Sequence, residues 1–381
     1  MRTIGGEERA RLWLNYGVEF NVRSFQKIAA AFASLEEAFS AYSVREERFA
    51  NLNEKTLARL NEAAKPGFLE RYLEMLERKH ISFTYPGEPT YPRLLEEIKD
   101  PPSVLYYIGR IEPDPELAVA VIGSRHPTKY GVEMAKRFAG ELAGAGALVV
   151  SGMAEGVDAC AARGALEHAN CGCATVAVLG CGVDVVYPQS NEKLYYEIIE
   201  RGAVVSEFLP GSRAERFHFP VRNRVMSGMA HGTLVVEAAQ RSGTSITAGF
   251  AQDQGREVFA VPGRVGDVMS TGPNGMIARG EAKPVFSTED ILSEFACLHV
   301  PAETRPEVKR ISVSSLSEQQ RGVCRLLRQG EMSFDELCES SGMPVGVLNS
   351  CLTELQFLGI MKQLPGRWYV LDTCQAVLTD E

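Results

Sequence analysis

Two hydrophobic periods divide this chain. Over residues 1–80 apolar positions recur at three- and four-residue spacing, through Leu12-Trp13, Ile28, Phe32, Leu35 and Phe39, then Leu57, Leu60, Phe68, Tyr72, Leu73 and Leu76. That spacing predicts helices alone, packed as a small bundle. Ser34 ahead of Leu35-Glu-Glu37 has the form of a capping box. Residues 81–116 carry Tyr85-Pro86, Tyr91-Pro92 and Pro101-Pro102 and then strand-like Val104–Ile108, which reads as an extended lead-in. From Leu117 the period changes. Continuous apolar runs at Leu117–Ile122, Ala147–Val150, Thr175–Leu179, Ala203–Val205, Thr233–Val236 and Val258–Val261 alternate with helix-length segments. Runs without alternation mean strands buried on both faces, so the predicted class is α/β with a parallel sheet core over residues 81–298. Residues 299–315, with two prolines and mixed charge, read as a linker. Residues 316–371 predict a separate module of helices Glu318–Arg328, Phe334–Ser340 and Pro344–Leu358 followed by a hairpin, which is a winged-helix pattern.

Composition narrows the partners. The 381 residues carry a formal charge of −9, so a general polyanion-binding surface is excluded and any nucleic-acid contact must come from a local patch. The nine cysteines are scattered; Cys171-Gly-Cys173 lacks zinc spacing and a second pair, and thiols in a reducing cytosol are expected. No apolar segment has signal-peptide or membrane-spanning form, so a cytoplasmic protein without a membrane partner is expected. The six histidines are isolated in sequence, and neither a metal nor a cofactor is implied.

The candidate chemistry lies in loops at the ends of the buried strands, where open α/β sheets bind ligands. Gly123-Ser124-Arg125 offers backbone and hydroxyl donors and a guanidinium that can fork onto phosphate oxygens. Val150-Ser-Gly-Met-Ala154 is a second small-residue loop. Arg213–Arg224 holds Arg213, Arg216, Arg222 and Arg224 against Glu215 alone, with Phe217, His218 and Phe219 between them. Basic heads interleaved with rings suit a single strand, whose phosphates meet Arg while its bases lie on aromatic faces. The alternation of Val221, Val225 and Met226 with Arg222-Asn223-Arg224 requires that some of these residues pack inward. Ser242-Gly243-Thr244 opens a helix, and its hydroxyls and free N–H groups cap that helix or hold a phosphate. Asp158 and Asp184 read as turn and cap residues. A G-x-G-x-x-G fingerprint, a Walker-type loop and a Ser/His/Asp arrangement are all missing.

These residues, in this order, make the chain similar to the DprA/Smf family. The signs are Tyr91-Pro92 with Asp100-Pro-Pro102, Gly123-Ser-Arg125, Ser151-Gly-Met-Ala154 with Gly156-Val-Asp158, Gly182-Val-Asp184 with Tyr187-Pro188, Phe219-Pro-Val-Arg-Asn-Arg224, Ser242-Gly-Thr244 with Thr247-Ala248, and Val261-Pro-Gly263. The resemblance implies an N-terminal SAM-like helical domain, an extended Rossmann domain and a C-terminal winged helix. It implies a non-catalytic protein that binds single-stranded DNA as a homodimer, protects it during natural transformation and helps load RecA recombinase. Carried over by residue, the DNA pocket uses Arg125, Arg216 and the base-stacking ring of Phe219, and takes in Gly123, Ser124, Arg222, Asn223, Ser242, Gly243 and Thr244. Two departures touch peripheral positions: Cys160-Ala161 where the family commonly has Ala-His, and Gly275 where it often has Lys.

The rival reading is an enzyme. The same Rossmann variant resembles the LOG phosphoribohydrolases, whose P-G-G-x-G-T-x-x-E motif needs its glutamate; aligned on Gly243-Thr244, this chain has Thr247 there. Ile291, Leu292 and Phe295 share one face of a short helix expected at Thr288–Phe295, and a dimer interface is expected on them. The winged helix is not expected to be the main DNA reader, because Pro344–Leu358 contains no Lys or Arg. The helix–turn–helix mode would need that segment in a groove.

Overall fold

The computed structural model describes residues 4–43, 49, 52–169, 172–240, 242–298, 309–312, 316–328, 330–364, 366–371 and 376–379. The chain divides into two compact units, Met1–Arg305 and Pro306–Glu381.

In the first unit, α1 (Gly6–Val18), α2 (Val22–Ala29), α3 (Leu35–Ser43), α4 (Glu54–Ala63) and α5 (Phe68–Arg78) form the predicted helical layer. Asn21 and Asn53 cap α2 and α4 by accepting from Ser24 N and Thr56 N at 3.1 and 2.8 Å. Trp13 is fully buried among Phe39, Tyr42 and Phe49. This layer is not a separate domain as the sequence suggested. Its core is continuous with that under one face of the sheet. Tyr106 of the sheet accepts from Asn15 Nδ2 at 3.1 Å and from Tyr72 Oη at 2.9 Å in the seam. Lys79 reaches Asp184 at 2.5 Å across the same boundary.

Next come β1 (Ser82–Thr84), α6 (Arg93–Glu96) and β2 (Leu105–Gly109), followed by the alternating unit: β3 (Ala118–Ile122), α7 (Lys129–Gly144), β4 (Leu148–Ser151), α8 (Val157–His168), β5 (Thr175–Val178), α9 (Glu192–Arg201), β6 (Gly202–Ser206), α10 (His218–Gly228), β7 (Gly232–Val235), α11 (Gly243–Asp253), β8 (Glu257–Ala260), α12 (Thr271–Ala278), β9 (Lys283–Pro284) and α13 (Glu289–Leu292). The sheet has nine strands in the order β1-β2-β6-β5-β4-β3-β7-β8-β9. β3 through β9 are parallel, as the continuous apolar runs required. The predicted lead-in is part of this sheet, because β2 pairs antiparallel with β6, and β1 with β2. The order reverses at β3, which lies between β4 and β7. That pair of neighbours, β3 and β7, is the topological switch point where open sheets hold ligands.

The expected dimer face needs correction. Ile291 is 0% exposed and Phe295 is buried with it in the core under β3, β7 and β8; the Phe295 ring meets Phe259 at 5.9 Å. Leu292 is half-buried against the same core. Burial within the subunit explains why this corner is so apolar, without any partner.

In the second unit, α14 (Glu318–Leu327), α15 (Phe334–Ser341) and α16 (Val345–Phe357) pack with a small sheet of β11 (Met332–Ser333), β12 (Met361–Leu364) and β13 (Trp368–Leu371). The capping boxes at Ser317/Gln320 and Ser333/Glu336 start α14 and α15. The predicted linker partly falls outside the described residues. Its Lys309–Ser312 portion is a strand, β10, paired parallel with β14 (Ala376–Thr379), so it belongs to this unit.

Candidate nucleic-acid interface

The loop after β3 is bolted into the switch point by its own backbone. Ser124 N donates to the Glu237 carbonyl at 2.7 Å, and Val157 N donates to the Ser124 carbonyl at 3.1 Å. His126 N donates to Ser124 Oγ at 3.0 Å, leaving that hydroxyl hydrogen free to serve a ligand. A Cβ at Gly123 would lie 2.7 Å from Val157 Cγ2 and 2.9 Å from the Glu237 carbonyl, so only glycine fits. Gly156, at φ 81°, backs onto Ser124 and Arg125 in the same way. The buried Glu237 carboxylate accepts from Thr128 N at 2.8 Å and Thr128 Oγ1 at 2.6 Å, which fixes the entry of α7. Arg125 is thereby exposed at a fixed mouth.

Arginine order along 213–224 resolves into two kinds. Arg213 and Arg216 are exposed and bond to no other described residue. Arg222 lines the cleft but is packed inward. It is 4% exposed, lies against Gly152 and donates to the Val178 carbonyl. Its burial lowers its pKa, and the nearby Asp158 carboxylate counters that shift. Asp158 in turn is raised by burial and held down by Arg222 and by backbone N–H donors, among them Gly152 N at 3.1 Å. Asp158 is therefore more than a turn residue. Met153, between Gly152 and Asp158, is buried with φ 54°, a strained backbone for a non-glycine residue of the kind found at functional loops. Arg224 also turns in, to Glu207 at 2.5 Å and Asp100 at 3.4 Å. Burial pushes the Glu207 carboxyl up to about 7 against the pull of Arg224.

Phe219, in the first turn of α10, packs against Gly180, where a Cβ would be 3.0 Å from the ring. The Arg125 guanidinium sits over the ring at 5.1 Å, a contact of about 0.5–1 kcal/mol at an exposed site. Tyr187 flanks it at 5.6 Å and is half-exposed; sequence noted Tyr187-Pro188 but gave the ring no role. At the start of α11, Ser242 is the N-cap residue but does not cap. Its side chain makes no cap hydrogen bond, and Oγ is buried without a partner. A buried hydroxyl at a helix N-terminus that bonds to no described residue can donate to an anion. Thr244 is buried beside it, and Gly243 has open space where a side chain would be.

These loops enclose a cleft of about 290 Å³ lined by Gly123, Ser124, Arg125, Phe219, Arg222, Asn223, Ser242, Gly243 and Thr244. Of the expected pocket residues, Arg216 alone is not on its wall; it is exposed in the turn ahead of α10. Ile246, Met269 and Asp158 line it too, though sequence did not assign them. Their patterns, a helix interior, a lone Met and a Gly-x-Asp turn, carry no ligand signal by themselves. Asp158 is the one carboxylate among the described lining residues, and Thr247 also lines the cleft.

Residues 82–296 match the family of DNA recombination-mediator protein A, and residues 309–367 match the DprA winged helix domain. The chain belongs to the DprA/Smf family. The role of that family is DNA recombination mediation, and the enzyme reading is not favoured. Among its relatives, Protein Smf of Escherichia coli is 35% identical over 304 residues, which span 78% of this chain and 79% of that protein. DNA processing protein DprA of Streptococcus pneumoniae is 39% identical over 235 residues, 60% of this chain and 81% of that one. The X-ray structure of the same pneumococcal DprA superposes with a TM-score of 0.58 at 31% identity, covering 77% of this chain and 99% of its own. A structure of DNA processing protein A from Helicobacter pylori, described for its single-stranded DNA binding mode, gives a TM-score of 0.50 at 29% identity over 57% of this chain and 98% of its own. The DprA/Smf assignment thus covers both units. Among the described residues no group of His, Cys, Asp and Glu is arranged to hold a metal, and no helix is long and apolar enough to cross a membrane.

Proposed function

We propose that this DprA/Smf protein binds single-stranded DNA across the switch-point cleft and performs no chemistry on it. The observation that carries the reading is the Arg125–Phe219 pair in one cleft with the unbonded Ser242 hydroxyl: a cation and a ring face together with a phosphate donor. One nucleotide's base replaces or joins Arg125 on the Phe219–Tyr187 surface. Its phosphate accepts from Ser242, Ser124 and the first amides of α11. Arg216 and Arg213 attract the strand on its approach, a local basic patch on an acidic protein. The single-stranded DNA binding mode described for the Helicobacter relative supports this class of ligand.

In the cell, this protein acts in the cytoplasm, shields incoming strands and passes them to RecA recombinase as a homodimer. With Ile291 and Phe295 inside the core, exposed Phe286 and half-buried Leu292 remain for a subunit contact at that corner. Two joined pockets would raise the affinity for one strand through effective concentration. A titration of oligo-dT binding against salt tests the reading. Binding with a negative log–log slope is expected; release of adenine from AMP, or no binding, would overturn it.

A further inference from the structure

A second cleft, of about 560 Å³, borders the first. Both are bounded by α10 and α11, and Pro220 lines both. Along α10, Phe219, Arg222, Asn223 and Met226 face the first cleft while Val221 and Arg224 face the second. Along α11, Ile246 and Thr247 serve the first and Phe250 the second. The far wall of the second cleft comes from the helical layer.

Its chemistry repeats that of the first. Arg23, Lys55, Arg59 and Arg224 line it against only Glu19 and Asp100. Glu19 holds Lys55 at 3.3 Å and also pairs with Arg59, whereas Arg23 is exposed and bonds to no other described residue. Arg224 is 6% exposed and, despite its two acidic partners, leaves Nη1 without an acceptor. Asn21 and Asn53 place the N-termini of α2 and α4 on the same wall, which adds two positive dipole ends. Phe20 and Phe250 supply ring surface, and Phe20 continues through Phe217, 6.2 Å away, to the exposed segment that carries Arg216. Glu19 itself has φ 56°, so the carboxylate that neutralises Lys55 and Arg59 is kept at a backbone cost.

We propose that the second cleft is a subsite for the same single strand. The strand leaves the Phe219 pocket over Pro220, sets a phosphate beside Arg23 and the α2 and α4 termini, and lays a base on Phe20 or Phe250. This inference rests on the single-strand reading of the first cleft. It makes the helical layer part of the DNA surface rather than an appendage, and makes Glu19 a negative element that limits affinity there.

The full-length protein, titrated with oligo-dT of increasing length by fluorescence anisotropy, tests it. Arg23→Glu should leave the shortest oligonucleotides that bind unaffected, and weaken longer ones about tenfold. It should also lower their salt slope by about 0.7, one phosphate on a single strand. Glu19→Gln should tighten the longer oligonucleotides severalfold and leave the short ones unchanged, a gain that a folding defect cannot produce. Arg216→Ala should weaken every length, which separates the two sites. If Arg23→Glu and Glu19→Gln match the unsubstituted protein at all lengths, or shift short and long oligonucleotides equally, the second cleft is off the strand's path. If the unsubstituted protein binds no oligonucleotide, the parent reading fails and this inference falls with it.

Discussion

The switch-point cleft and the exposed face of α16 are both surfaces where a DNA-binding protein of this architecture could meet its ligand, and they differ in almost every physical respect. The cleft is concave, rigidly bolted by Glu237 and glycine contacts, and combines the Arg125–Phe219 pair with an unbonded buried hydroxyl. The outer face of α16 is convex and uncharged apart from Glu354, with Val345, Asn349, Thr353 and Gln356 in the open and Phe357 87% exposed. In the same unit Arg367 is stacked on Phe334 at 4.2 Å, and Arg321 and Arg325 lie exposed on α14, not on the helix that would enter a groove. Fold family therefore does not decide which surface binds. A winged helix without a basic recognition helix lacks the electrostatic term that drives duplex binding, while a Rossmann edge with small loops has both terms a single strand needs.

The comparison can be broken most sharply inside the cleft, where residues adjacent in sequence play opposite parts. Arg222→Ala is expected to act on stability, by about 3–5 kcal/mol, because it leaves Asp158 buried without its cation. The check is the urea midpoint; a stable variant with weakened DNA binding would make Arg222 a ligand contact rather than a structural one. Phe219→Ala should retain the fold and lose about 1–3 kcal/mol of single-strand binding with the salt slope preserved, as befits a stacking term. Phe357→Ala, on the other surface, should lose nothing measurable, and a loss equal to that of Phe219→Ala would erase the contrast. Arg125→Ala and Arg216→Ala should each reduce the slope of log affinity against log salt by about 0.7. The same titration on Arg321→Ala and Arg325→Ala should give the unsubstituted slope. Removing the second unit whole should also have little effect. A chain ending at residue 305 keeps its own cores, and its affinity for oligo-dT should fall by less than about 1.4 kcal/mol, tenfold. A greater loss, seen by anisotropy at fixed salt, would move the principal site to the winged helix.

A dimer test sharpens the same point from outside the cleft. Phe286→Glu together with Leu292→Glu should give monomers by light scattering and weaker binding of long strands. Ile291→Glu should instead unfold the protein, since its side chain is wholly inside the core.

Much of this molecule is determined by local sequence. Continuous Val/Ile/Ala runs can only be strands covered on both faces, so the parallel sheet and its order of alternation were readable. Glycine at 123 and 243 and the Ser-Gly-Thr helix start were readable too, because backbone approach and helix N-termini leave compositional marks. The arginines of 213–224 stood out as a group, and the alternation with Val221, Val225 and Met226 required that some face inward, without saying which. That decision is tertiary. Gly152, at the end of another strand, leaves the space into which Arg222 folds, and Asp158 and Glu207 arrive from distant segments to meet Arg222 and Arg224. Tertiary packing also put Ile291 and Phe295 under β7 and β8, and joined the helical layer to the sheet through Tyr106, although a period of 3.6 shows only that a helix has an apolar face. A sequence period fixes which side of an element must be covered; what covers it depends on segments a hundred residues away, and so does the choice between a charged side chain that binds a ligand and one that holds the fold.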